Sequence, residues 1–209
     1  SAVALILLKK EGYDVEGLFM RNWDSTINND YLGNPNNLND ICPQEKDYND
    51  ALELCNSLGI KLHRVDFIKE YWDNVFTYFL EELKKGRTPN PDMLCNRYIK
   101  FDLFVKHAKK LGADFIATGH YARIGHDAAG RALLLRARSP KDQSYMLANL
   151  PRTVLERCVF PLGEAADKKE VRTLAHERAI PVAEKKDSMD VCFIPDGDYA
   201  AFIRARGFE

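Results

Sequence analysis

The chain has 209 residues, 45% of them hydrophobic and 29% charged, with a formal net charge of −1. Such a composition suits one good core, or one domain plus part of another, in an ordinary globular protein. It excludes a polybasic nucleic-acid binder, so any RNA contact must come from a local patch, and no apolar run approaches the roughly 20 residues of a membrane helix.

The opening run SAVALILLKK is apolar almost all round. It predicts a buried helix from Ser1 to about Lys10, with Gly12 placed to end it. A basic leader and a cleavage site are both missing, so it is not a signal peptide. The helix leaves no room for a strand before it, and the start is expected to be truncated. Val15 to Met20 reads as a strand. Residues 24 to 44 form a long polar loop with five asparagines between Asn28 and Asn37; loops of this length are usually functional or mobile. Helical spacing returns from Lys46 to Leu58, with Ala51, Leu52, Cys55 and Leu58 on one face, followed by a short strand from Lys61 to Phe67.

Ile68 to Lys85 predicts a long amphipathic helix lined by Ile68, Trp72, Val75, Phe76, Phe79, Leu80 and Leu83. Its continuous helical spacing marks this aromatic stripe as core and not as a platform for bases. Gly86 ends it. The stretch from Arg87 to Phe101, RTPNPDMLCNRYIKF, then stiffens the backbone with two prolines. Asp92 stands where an N-cap is wanted, and a second long helix follows, with Leu94, Tyr98, Phe101, Val105, Ala108 and Leu111 on its apolar face. Cys95 falls in the first turn of that helix. The helix dipole, with Arg97 and Lys100 close in sequence, predicts a thiolate there.

Asp114 to Thr118 is a buried-type strand running into Gly119 and His120. The alternation of helices with short apolar strands to this point is the pattern of a parallel α/β sheet, in which ligands sit beyond the strand carboxyl ends. Met20 and Gly119 both lie at such ends. His120 reads equally as a phosphate or general-acid group and as a strand-end histidine bonded to backbone. A hairpin is predicted from Tyr121–Ile124 and Ala132–Arg136. After it come the polar trio Lys141, Asp142 and Gln143, a short helix from Tyr145 to Leu150, and a helix from Asp167 to about Arg178 with a capping box. Cys192 falls in a short β-like segment after a lysine-bearing loop. The chain ends at Glu209 as another helix begins around Tyr199 and Phe202, so truncation is expected here too. The domain reading is 1–165 for the α/β unit and 166–209 for a connecting segment and the start of a smaller domain.

The five cysteines are Cys42, Cys55, Cys95, Cys158 and Cys192, with no C-x-x-C. Neither a disulfide framework nor a local zinc or iron–sulfur site fits that spacing. Cys55 and Cys158 read as structural. Cys95 and Cys192 have the contexts of reactive thiols, able to hold a persulfide, attack an activated carbon or close a transient disulfide.

The motifs GLFMRNWD, EYWDNVF, GRTPNPDMLCNRYIKF, GADFIATGHYAR, KDQSYML and DSMDVCFIPDGDY, in this order, resemble the tRNA-specific 2-thiouridylases, enzymes of the ATP-pyrophosphatase (PP-loop) type with a Rossmann-like fold. The resemblance covers essentially the whole chain. It implies adenylation of C2 of the wobble uridine in tRNAs for Lys, Glu and Gln by ATP with Mg2+, and delivery of sulfur from a persulfide on Cys192. It implies that Cys95 acts as nucleophile or base and can end in a disulfide with Cys192. By matching positions, Asn90, Pro91 and Asp92 meet the target base, Lys141, Asp142 and Gln143 contact tRNA, and Ser1, Met20 and Gly119 line the ATP site. A cysteine desulfurase or sulfur-relay protein is the implied sulfur donor, the expected compartment is the cytoplasm, with the mitochondrion the alternative if a transit peptide was lost with the N-terminus, and no protein-bound metal or cluster is expected. The family's first strand, most of its phosphate loop and its C-terminal barrel have no counterpart between Ser1 and Glu209, so these residues alone are not expected to turn over ATP. Two other readings remain: an amide-forming synthetase of the same fold, which needs no cysteine pair, and a non-catalytic RNA-binding module. A thiol redox protein is disfavoured by the absent C-x-x-C.

Overall fold

A computed structural model describes residues 2–32, 43–178, 180, 183–184, 191–194 and 198–208. Ser1 and residues 33–42 of the asparagine-rich loop, Cys42 among them, lie outside the described residues. Helix α1 (Ala2–Lys10) buries Val3, Ala4 and Leu8. Gly12 ends it with φ +88°, a left-handed value that glycine adopts without cost. Strand β1 (Gly17–Arg21) and strand β2 (Leu62–Asp66) pair in parallel with Gly17 opposite Leu62. Helix α2 (Pro43–Ser57) is the crossover between them. Arg64 holds Glu45 of α2 by two hydrogen bonds of 2.8 and 2.5 Å, tying that helix to the sheet. Cys55 is buried, as its helical spacing predicts.

The two long helices form as expected, with a feature that periodicity did not indicate. Helix α3 spans residues 68–84 and widens into a π turn over Trp72–Phe76, where Thr77 N–H reaches back five residues to the Trp72 carbonyl. Helix α4 spans 91–110 and widens over Cys95–Leu103, the Phe104 N–H bonding the Ile99 carbonyl. Such turns are uncommon and concentrate at functional sites. The N-cap of α4 is Asn90 and not Asp92. Asn90 Oδ1 accepts from Met93 N–H at 3.2 Å, and Pro91 takes the first helical position, where its missing N–H costs nothing.

Strand β3 (Ile116–Ala117) pairs in parallel with β6 (Cys158–Val159). The hairpin is β4 (Ala122–His126) with β5 (Ala132–Arg136), antiparallel. Asp127 closes its turn by accepting from the N–H groups of Ala129 and Arg131. The turn at Pro161–Glu164 packs so tightly on β4 that a Cβ on Gly163 would run into the Ala122 carbonyl. A short helix α5 (Arg152–Leu155) and β6 were not anticipated; both are too brief to carry a period. The predicted helix at Tyr145–Leu150 is instead a single 3-10 turn, Ser144–Leu147. Helix α6 (Lys168–Glu177) has its capping box: Asp167 accepts from Glu170 N–H, and Glu170 accepts from Ala166 N–H, both at 2.8 Å. Helix α7 is Tyr199–Ala205, capped by Asp198.

Three apolar clusters hold these parts together. One is aromatic: Trp23, Phe67, Tyr71, Phe76 and Phe79 pack with Cys95, Ile99, Phe193 and Phe202. A second joins α1, α2 and α6 through Val3, Ala4, Leu54 and Ala175. The third lies under the hairpin, around Phe101, Ala122, Leu147, Cys158 and Phe160. Residues on both sides of position 165 therefore share the first two clusters. Among the described residues, no helix is long and apolar enough to cross a membrane.

Candidate active site: two thiols on a buried tyrosine

Cys95 and Cys192 approach the aromatic cluster from different directions. Cys95 is carried by α4, just where its π segment begins. Cys192 sits in a turn in which Ile194 N–H bonds the Val191 carbonyl. The expected β-like segment is therefore corrected to a turn, anchored by Phe193, which is 1% exposed and packs its ring on Trp23, Tyr71, Phe76 and Phe79. That anchor brings residues 97 positions apart in sequence to one place (95 and 192). Both thiols are free.

Tyr71 neighbours both thiols. It is 1% exposed, and its hydroxyl faces Cys192 closely enough to pull that thiol's pKa down. Burial, then the neighbouring Cys192, Cys95 and Asp92, hold the phenol well above its ordinary pKa, so it stays an O–H donor. Asn22, at the end of β1, brings its amide Nδ2 to 4.0 Å from Cys192 Sγ, the outer edge of a sulfur hydrogen bond. Its backbone N–H bonds Gln44 Oε1 at 2.9 Å, which fixes the residue in place.

The thiolate expected at Cys95 is not what the surroundings favour. Burial pushes this thiol up to about 12, with Lys100 opposing and Cys192 and Asp92 adding to the rise. Desolvation outweighs the helix dipole because the sulfur lies in the apolar interior. Cys192 is exposed as a whole residue, yet its sulfur meets two nearly inaccessible side chains. Burial of the sulfur raises its pKa as well, but Lys100, Asn22 and Tyr71 all pull it down. The shift follows the sulfur's own neighbours, so the exposure of the rest of the residue does not contradict it.

Asp92 is exposed at the mouth of this site, and its charge is felt by both thiols and by Tyr71 and Tyr199. Pro91 is buried and Asn90 is committed to its cap. Asn96, beside Cys95, donates to the Met146 carbonyl at 3.1 Å and links α4 to the loop after the hairpin. In that loop Asp142 accepts from Ala137 N–H and from the N–H and Oγ of Ser144. Burial alone would raise its carboxyl; these hydrogen bonds hold it below its usual value. Gln143 exchanges hydrogen bonds with Tyr121 at 3.0 and 2.8 Å. Lys141 Nζ stands 4.9 Å over the Tyr121 ring. The trio thus shapes its own loop, with two of its three side chains turned to backbone partners.

Met20 is the penultimate residue of β1, and Gly119 follows β3. Both stand at carboxyl ends of parallel strands, the edge at which such sheets bind nucleotides. Ser1 lies outside the described residues. His120 packs between Phe101 and Phe160 and shares a 2.7 Å hydrogen bond with Thr118 Oγ1. Burial, helped by Lys100, lowers it to about 3. It is a neutral imidazole and not a cation for phosphate. Sequence reasoning missed Asn22 and Tyr71, although both lie inside quoted motifs. The signal available was a polar side chain within an otherwise apolar pattern.

Two parallel strand pairs with helical crossovers, and a cysteine pair beside the helices packed on them, define an α/β protein of the HUP class, the Rossmann-like group that includes the PP-loop enzymes. The family model described as "tRNA methyl transferase HUP domain" matches residues 1–196, and the chain belongs to that family. It is 52% identical over 207 residues to the tRNA-specific 2-thiouridylase MnmA of Mesoplasma florum, covering 98% of this chain and 55% of that protein. The proteins of the same name from Mycoplasmopsis synoviae and Staphylococcus saprophyticus are 56% and 48% identical, with 98% and 97% of this chain covered and 54% and 52% of theirs. The chain spans about half the length of the curated relatives it matches.

Proposed function

We propose that the protein is the catalytic part of a tRNA 2-thiouridylase, and that Cys192 carries the sulfur it transfers. The observation that supports this most is the meeting of Cys95 and Cys192 at Tyr71, with Asp92 at the opening. The relatives' shared name points to the same reaction. The chemistry balances as follows. ATP, as co-substrate with Mg2+, adenylates O2 of the wobble uridine of tRNA and releases diphosphate, which turns a poor leaving oxygen into AMP. The outer sulfur of a Cys192 persulfide attacks C2, and AMP departs with the C–O electron pair. Cys95, as thiolate, then attacks the inner sulfur on Cys192. A Cys95–Cys192 disulfide forms, the S–S bond to the substrate breaks, and its electron pair stays on the sulfur of the 2-thiouridine. A dithiol reductant must reopen the disulfide before the next turnover.

In this reading Asn90, Pro91 and Asp92 form the rim that meets a uridine taken out of its stack. The exposed Asp92 carboxylate is placed to accept the Cys95 proton. Met20 and Gly119 line the ATP site with Ser1, and the loop of Lys141, Asp142 and Gln143 faces tRNA. The substrates are the tRNAs for Lys, Glu and Gln, the sulfur comes from a cysteine desulfurase or a relay protein, and the reaction runs in the cytoplasm. Residues 1–165 form the nucleotide-binding unit, and 166–209 bring in the second cysteine.

The test is nucleoside mass spectrometry of tRNA incubated with the full-length protein, ATP and a low-molecular-weight persulfide. The expected product is 2-thiouridine with AMP, lost in Cys192→Ser. Absence of 2-thiouridine with the unaltered protein, or its persistence in Cys192→Ser, overturns the reading.

A further inference from the structure

The two thiols share a pocket but not the same company. Cys192 Sγ has two side-chain donors, the Asn22 amide at 4.0 Å and the Tyr71 hydroxyl. Cys95 Sγ has the Lys100 charge nearby and lies 5% exposed in the aromatic cluster. Asn22 is 3% exposed, and its Oδ1 has no hydrogen-bond partner among the described residues. A buried amide left half-paired costs stability, so its retention in an apolar core calls for a use. Tyr71 is similar: a phenylalanine would fill the same space among Trp23 and Phe193 without a hydroxyl to satisfy.

We propose that Asn22 and Tyr71 are positioning residues that form a two-donor cradle for the sulfur anion at Cys192, the thiol that carries the sulfur in the reading above. The proposal rests on the thiouridylase reading and assigns the loading step within it. Cys192 thiolate attacks the outer sulfur of a donor persulfide R–S–S–H. A new S–S bond forms on Cys192, the donor's S–S bond breaks, and the electron pair leaves on the donor thiolate, with no net oxidation. The cradle favours the attacking anion with two N–H or O–H dipoles that need no reorganisation. Among the described residues Cys95 has no such donors, and it remains protonated until the substrate is attached. That order prevents the two thiols from closing on each other before sulfur has been delivered.

The charged and titratable groups facing Cys192 are Lys100 and Asp92 from α4, Tyr71 from α3, and Cys95. The Lys100 cation favours the anion and Asp92 opposes it, in the unaltered protein and in the variants alike. The cradle is tested by the rate of iodoacetamide alkylation of each cysteine against pH, mapped by peptide mass spectrometry, in the intact protein and in Tyr71→Phe and Asn22→Ala. Neither tRNA nor ATP is needed, so the result is independent of whether thiolation is observed. Expected is an upward move of the Cys192 profile in each variant, with a rate at pH 8 lower by about three- to ten-fold and recovered at higher pH, since one hydrogen bond to a charged group is worth that much. Cys55 and Cys158 serve as controls and stay unchanged. Loading with cysteine persulfide should fall by the same factor at Cys192 and should not move to Cys95. An unshifted Cys192 profile in both variants overturns the cradle. So does a rate that rises equally at every pH, the sign of a merely loosened core.

Discussion

Cys95 and Cys158 are both buried thiols, both pushed up to about 12, yet the regions around them are built differently. At Cys158, under the hairpin, burial is the sole cause of the shift, and the thiol donates to the Val154 carbonyl at 3.1 Å. That is a small apolar residue with its one polar atom satisfied. At Cys95, in the aromatic cluster, a lysine, an aspartate, a tyrosine and a second thiol all act on or near the sulfur. The same displacement therefore carries different information. Burial alone does not mark a working cysteine; polar groups placed inside an apolar core around it do.

The sharpest way to break this contrast is to exchange the cysteines for isosteres. Cys192→Ser and Cys95→Ser should each lower 2-thiouridine formation by more than about a thousand-fold, because a hydroxyl neither carries a persulfide nor attacks one at neutral pH. Cys158→Ala should leave that rate near normal and lower only the melting temperature. Equal losses of rate for all three would erase the distinction.

Next in size is the aromatic packing. Phe76 is fully buried and in ring contact with Trp23, Trp72 and Phe193. Phe76→Ala should cost about 3–5 kcal/mol by denaturant unfolding, and it should also free the Cys192 turn, seen as faster alkylation at all pH values. A comparable loss is expected from breaking the pair between Asp30 and Arg206, whose side chains are 6% and 9% exposed and whose guanidinium lies over the rings of Phe76 and Phe202. Asp30→Ala should cost about 3–5 kcal/mol, since the arginine would be left buried and unpaired. Stability within about 1 kcal/mol of the unaltered protein would show that water reaches the pair.

His120 sharpens the comparison from the hairpin side. Its folded pKa, lowered to about 3, lies below the ordinary histidine value near 6.5. The unfolded chain therefore binds a proton that the folded one refuses, and stability present above about pH 6.5 is lost as pH falls toward 3. His120→Gln should flatten that slope by about one proton in a pH series of unfolding free energies. The thiols act at the other end. Cys95 and Cys158 stay protonated when folded but ionise when unfolded, so stability should fall as pH rises above about 8.5. The smallest effect is expected at the cap: Asn90→Ala removes the acceptor for Met93 N–H and should cost about 1 kcal/mol. Asp92→Ala leaves that cap intact, so a larger loss there would return the capping role to Asp92.

Much of the scaffold could be read from local pattern. The lining of α3 and the ends of α1 and α6 follow from spacing and capping, which depend on neighbours a few residues away. The family, too, was visible, because its motifs are contiguous strings. The misreadings share a cause. Asp92 reads as the cap from its residue type, although Asn-Pro offers the better start: proline fits the first helical position and the residue before it is extended. The π turns in α3 and α4 leave the apolar stripe nearly unchanged and so leave little trace in its period. Gln143 and Asp142 looked like free polar side chains until Tyr121 and Ala137 were brought beside them.

By itself the sequence determined the long helices, which cysteines lack a local partner, and which family the chain joins. Only the tertiary structure decided that Cys192 would reach Asn22 from 170 positions away, that Tyr71 would neighbour both thiols, and that burial would keep Cys95 protonated. The reason is physical. Helix formation is governed by groups within a turn or two of one another, whereas the protonation of a buried group is set by the solvent it loses and the dipoles it meets, and both come from distant parts of the chain.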